Sequence, residues 1–274
     1  MSPILVNVAL VEKSEADLTL ILNFRLMRQK DANLVPLSDI GSLTGLEYLH
    51  LFDISRSGDL SFDQMGVERM KNLKTLKLAA GYSTLTLPVD FYVHILQVEH
   101  LSLTTFRLPS ASMSMLANLK QLVLFEVLDI NQDELFALPN LEILKISFDA
   151  SASSQAKLKF KPELTEKCPK LRELVLSHCK FTEDTCKAIT KLPYLEYLSV
   201  PCSNQLELQH VYDFAAMNGL KTLNLSYNVT TYWVTAKFYS EIAARARTLR
   251  TVYLIGFAQQ NHGDNYNIDF IHSR

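Results

Sequence analysis

Glycine and proline are scarce in this chain, eight and nine residues in 274, too few for a fibrous or low-complexity polypeptide. Cysteine is scarcer, at four. Four thiols make no disulfide framework at this length, so a reducing compartment, cytoplasm or nucleus, is the expected location. No run reaches the ~18–20 uninterrupted apolar residues of a bilayer-spanning helix. The opening MSPILVNVALVEKSEADL has no basic residue before its apolar run and meets acids soon after it, unlike a secretory or transit leader. Charge of one sign is missing too. The 27 Lys and Arg against 29 Asp and Glu leave a net charge of −2, so neither nucleic acid nor a membrane is expected as a partner. The sequence also lacks a Walker loop, a Gly-rich dinucleotide turn, a nucleophile elbow and an H-E-x-x-H pair. We therefore expect no enzyme activity, catalytic residue, metal, cofactor or small-molecule substrate.

What is present is repetition. A six-residue frame, L-x-x-L-x-L with other aliphatics allowed, begins at Leu46, Leu73, Val98, Leu119, Leu141, Leu171, Leu195, Leu220 and Leu249. Successive frames start 21 to 30 residues apart, close to the roughly 20–29-residue period of leucine-rich repeats. Inside each frame the fourth and sixth residues alternate with polar or small ones, the period of a half-buried strand. One such strand cannot bury its apolar edge alone, but strands stacked in parallel about 4.8 Å apart make a continuous core.

The segments between frames read as short helices. Ser61 with Gln64, and Asn131 with Glu134, have capping-box spacing. Thr182 is an expected N-cap, with Glu183 and Asp184 in the first turn. The segment after Pro109 is a further helix start. The predicted fold is an α/β leucine-rich repeat solenoid, a horseshoe of about nine repeats, with a parallel sheet on the concave face and short helices on the convex face. Residues 1–44 form an N-terminal cap or a degenerate repeat built on Leu18 and Leu20, 45–258 the solenoid, and 259–274 a C-terminal cap and tail. The stretch SASSQAKLKFK, with Lys157, Lys159 and Lys161, is an expected exposed loop.

One repeat carries a more particular pattern. Cys168, Pro169, Leu171, Leu174, Leu176, Cys179, Phe181 and Thr182 resemble the cysteine-containing repeats of F-box/leucine-rich-repeat ubiquitin-ligase receptors. Asn228 stands at the Cys179 position in a second repeat, whereas Ile54, Gly81, Phe106, Val127, Asp149 and Ser203 depart from it. The resemblance implies substrate recognition for a ubiquitin ligase. The Leu-Pro opening of an F-box has no counterpart before Leu46. At the turn leaving the strand, the Cys179 thiol or Asn228 amide is expected to bond the backbone of neighbouring coils.

Frame positions three, five, seven and eight are expected to line the open face. They supply the candidate partner-binding residues: Tyr48, His50, Phe52, Lys77, His100, Gln121, Phe125, Lys145, Phe148, Glu173, His178, Tyr197, Tyr227 and Tyr253. Aromatic rings among small polar residues, with few charges, suit protein recognition. Val123, Phe125, Ile143, Phe148 and Val175 form an expected apolar patch over the middle repeats.

Competing chemistry fails on spacing. His50 and His100 are two repeats apart, roughly 10 Å, whereas zinc holds its ligands at about 2 Å. Ser177, His178 and Glu173 suggest a triad, but adjacent strand residues point to opposite sides. The N-x-S/T patterns at Asn224 and Asn228 lack a leader and read as coincidence. The expected function is a non-enzymatic module binding a protein partner on its concave face. The alternatives are a structural subunit of a larger assembly and a GTPase regulator.

Overall fold

A computed structural model describes residues 8–10, 18–23, 40–54, 65–135, 137–148, 168–202, 206–226, 236–254 and 266–269. The chain divides into two compact units, Met1–Leu138 and Pro139–Arg274.

The first unit begins with β1 (Val8–Leu10), antiparallel to β2 (Leu18–Asn23). From β2 onward the pairing is parallel, through β3 (Leu46–Phe52) and β4 (Thr75–Ala79). A two-residue strand, β5 (Leu85–Thr86), precedes β6 (His100–Thr104), and a second one, β7 (Phe106–Arg107), precedes β8 (Gln121–Phe125). The strands β3, β4, β6 and β8 run side by side with Leu49, Leu76, Leu101 and Leu122 in register. β5 and β7 pair in a separate parallel ladder, continued by a bridge between Arg107 and Leu128. The chain returns through 3-10 turns at Val67–Arg69, Phe91–Ile95 and Met113–Met115, and through the one-turn helix α1 (Gln132–Leu135).

The second unit repeats the sheet with different returns. Its parallel strands are β9 (Ile143–Ser147), β10 (Glu173–Ser177), β11 (Tyr197–Ser199), β12 (Thr222–Asn224) and β13 (Thr251–Leu254). Leu144, Leu174, Leu198, Leu223 and Val252 align across them. Between the strands lie α2 (Glu183–Thr190), α3 (Leu208–Ala215) and α4 (Ala236–Arg245). The strand β14 (Tyr266–Asp269), within the 259–274 segment, runs antiparallel to β13.

The frame governs burial. Positions one, four and six of all nine frames are buried, none more than 5% exposed. Each such side chain contributes about 1.5–3 kcal/mol over an exposed one. Backbone bonding follows the same phase. The Lys74 carbonyl accepts from the N–H groups of Glu99 and His100, at 2.8 and 2.9 Å, and the Glu99 carbonyl from Lys120 and Gln121. In the second unit Glu142, Arg172, Glu196 and Lys221 accept in the same doubled way.

Frame position eight is the corner. Asp53, Thr105, Glu126, His178 and Cys202 occupy it with φ between 52° and 62°. This is left-handed backbone that non-glycine residues adopt uncommonly. In the second frame the corner falls one place later, on Gly81 at φ 96°.

Two expectations need correction. The segment after Pro109, expected to start a helix, is a single 3-10 turn with Ser112 Oγ accepting from Ser114 N–H at 3.3 Å; among the described residues, helices of two turns or more lie in the second unit. The Cys179 thiol donates to the carbonyl of Ser177 at 3.3 Å, inside its own coil rather than across to a neighbour. Thr182 does cap α2, accepting the Thr185 N–H at 3.2 Å. The Asn131 amide donates to Glu134 Oε1, and Glu134 Oε2 accepts the Met113 N–H, tying α1 to the preceding turn. Ser61, Gln64, Lys157, Lys159, Lys161, Tyr227 and Asn228 lie outside the described residues.

Candidate protein-binding face

Alternation along each strand sends odd frame positions to the sheet face away from the core. On β3 this lines up Tyr48, His50 and Phe52, all half-buried. The His50 and Phe52 rings lie 3.6 Å apart centroid to centroid, and Tyr48 meets His50 edge-on at 6.3 Å. From β4, Lys77 places its ammonium 5.3 Å from the Tyr48 ring centre, within cation–π range. Burial, reinforced by the nearby Lys77 charge, lowers the His50 pKa from 6.5 to about 4, so His50 is neutral at physiological pH. Further along, His100 Nδ1 and Gln121 Oε1 are 3.2 Å apart. On β8, Val123 is half-buried and Phe125 is 44% exposed.

The second unit's face is built differently. Lys145 on β9 pairs with Glu173 on β10 at 2.7 Å. His178 stands at the left-handed corner. Tyr197 and Tyr253 are half-buried on β11 and β13, with β12 between them. Of the expected apolar patch, Val123 and Phe125 belong to the first unit, and Ile143, Phe148 and Val175 to the second. The structure therefore groups Tyr48, His50, Phe52 and Lys77, then His100 with Gln121, and Lys145 with Glu173. Asn224 Oδ1 accepts from the N–H and hydroxyl of Ser226, itself buried, so the Asn224 glycosylation pattern is folded into a turn.

Among solved structures, a chain of the mouse RP105/MD-1 complex resembles this one with TM-score 0.50 and 21% identity, over 78% of this chain and 35% of that one. The plant peptide hormone receptor RGFR1, in complex with RGF2, does so with TM-score 0.50 and 16% identity, over 87% and 35%. The fold is an α/β leucine-rich repeat solenoid. The chain spans about a third of the length of those two chains. No family model and no curated protein matches it.

Two features of the repeats escaped the sequence reading. The first is the charge column at frame position two: through the first eight frames Glu47, Lys74, Glu99, Lys120, Glu142, Arg172, Glu196 and Lys221 alternate in sign, and Arg250 in the ninth ends the alternation. Adjacent members pair as Lys74–Glu47 at 3.1 Å, Lys120–Glu99 at 2.6 Å and Lys221–Glu196 at 2.7 Å. The signal stood in the sequence, one place beside the leucines. The second is a cleft of about 430 Å³ between α2 and α3, lined by Glu183, Cys186, Lys187, Glu207, His210, Asp213 and Met217 among others. Burial, followed by the charges of Asp213, Glu183 and Glu207, pushes the Cys186 thiol up to about 12. It is therefore a poor nucleophile at neutral pH.

Proposed function

We propose that this chain is a binding module, not a catalyst, and that it takes a protein partner on the open face of its repeat sheet. The observation that carries the reading is that face itself: half-buried aromatic residues and an exposed Phe125 on strands whose opposite side is fully packed. Large rings on a rigid sheet lose little conformational freedom on contact and supply the anchors that dominate protein interfaces. RP105 and RGFR1, of the same fold, are each seen in complex, with MD-1 and RGF2.

The finer reading, substrate recognition for a ubiquitin ligase, draws support from the resemblance of one repeat. There Cys168 and Cys179 are buried and Thr182 caps the following helix. None of the four cysteines is joined in a disulfide, which fits the expected reducing location.

Affinity capture with mass spectrometry tests both levels. The wild-type chain and Val93→Asp, on the return side where Val93 is 53% exposed, should capture the same proteins; Phe125→Asp and Phe148→Asp should lose them. Retention by both face variants with unchanged melting curves moves the interface off this face. Ligase core subunits among the captured proteins favour the finer reading, and a fixed stoichiometric set without them favours a structural subunit.

A further inference from the structure

The charge distribution on the first unit's open face is lopsided. Positions three, five and seven of β3, β4, β6 and β8 are Tyr48, His50, Phe52, Thr75, Lys77, Ala79, His100, Ser102, Thr104, Gln121, Val123 and Phe125. The register sets Thr19, Ile21 and Asn23 of β2 in line with the first three. No carboxylate stands anywhere in this set. The acids nearest in sequence stand outside these positions: Asp53 and Glu126 at the corners, the first buried and the second accepting from the Thr105 hydroxyl, and Glu47 and Glu99 at frame position two, bonded to Lys74 and Lys120. In the second unit the corresponding cation, Lys145, already holds Glu173. Lys77 instead sits half-buried over the Tyr48 ring.

A partner laid across this face withdraws the Lys77 ammonium from water. Covering a charge without supplying its counter-ion costs several kcal/mol, and positions three, five and seven of these strands hold no acid to offer. The partner has to bring one. Beside Lys77 lie the Tyr48 ring and the small Ala79, so the adjoining contact is apolar. A lone lysine meets one counter-charge as a point contact and lacks the bidentate arginine fork that phosphorylated segments commonly use, so a singly charged carboxylate matches it.

We propose that the partner presents a peptide segment with a carboxylate next to an apolar side chain, and that Lys77 is the residue reading the carboxylate. The inference rests on the open-face reading above and deepens it.

A phage-displayed library of random dodecapeptides, panned on the full chain at neutral pH, tests it. Enriched peptides should share an Asp or Glu beside an aliphatic or aromatic residue. The best of them, synthesised, should bind Lys77→Met about tenfold more weakly, fail on Lys77→Glu, and bind Lys71→Met, at an exposed lysine on the return side, unchanged. Melting curves of the variants should match wild type. Enriched peptides without a shared acid, or equal binding to Lys77→Glu, overturn the inference. If those peptides are still lost on Phe125→Asp, the open-face reading survives alone. Peptides lost on neither variant, or no enrichment on the wild-type chain, overturn both.

Discussion

The two units share one strand pattern and differ in how the chain comes back. In the first, returns are 3-10 turns and one-turn α1, and the first unit adds the β5–β7 ladder beside the main sheet. In the second, three returns are α-helices of 8, 8 and 10 residues. Repeat length alone does not decide between them, because the frames at Leu73 and Leu195 are each followed by the next after 25 residues. The former spends its residues on TLTLP, where β-branched threonines and Pro88 favour extended chain. The latter spends them on LQHVYDFA behind a capping box between Glu207 and His210. Both returns meet the same demand, delivering buried side chains to the core: Phe91, Tyr92 and Ile95 in one, Val211, Phe214 and Ala215 in the other. The sheet fixes the strands; the return is free to take any form that fills the inside of the coil.

Substitutions can break this contrast. Ala243→Pro, at an exposed site late in α4, should cost about 3 kcal/mol by removing a helix hydrogen bond and clashing with the preceding turn. Ser114→Pro, in a 3-10 turn where the lost N–H bond is long at 3.3 Å, should cost about 1 kcal/mol or less. Equal losses in urea melts would erase the distinction between helical and non-helical returns. Next in size is the glycine pair. A Cβ on Gly81, at φ 96°, would sit 2.1 Å from Asp53 Oδ1, whereas on Gly219, at φ 108°, it meets nothing closer than 3.8 Å. Gly81→Ala should therefore lower stability by about 2 kcal/mol and Gly219→Ala by about 1 kcal/mol, checked by thermal denaturation. Thr182→Ala should cost about 1 kcal/mol through loss of the α2 cap, against a few tenths for Ser112→Ala. Smallest of all, Glu99→Gln and Glu196→Gln should each lower the melting midpoint slightly. High salt should remove both differences, because the pairs they break are solvent-exposed.

The sequence reading carried the strands and the core, since three apolar positions recurring through nine frames leave one way to bury them. The returns were less legible. Capping spacing at Asn131 and Glu134 looks helical, yet those side chains bond each other and the neighbouring turn, and α1 lasts one turn. The β5–β7 ladder left no periodic trace because two residues cannot show a period. On the face, the column of candidate residues was readable, while the Lys77–Tyr48 and Lys145–Glu173 contacts were not. They join residues 29 and 28 apart in sequence through strand stacking. The His178 corner was hidden for another reason. Left-handed backbone at frame position eight is carried by Asp, Thr, Glu, His and Cys alike, so residue type gives no warning of it.

That corner has an implication for variation. A site defined by its torsion angle, and met in five frames by five different residue types, behaves as a blank label on those coils. Evolution or an engineer could rewrite the half-buried labels, Thr105, Glu126, His178 and Cys202, without disturbing the stack, and glycine at any one of them would relax the bend; Asp53, buried against Gly81, is the exception.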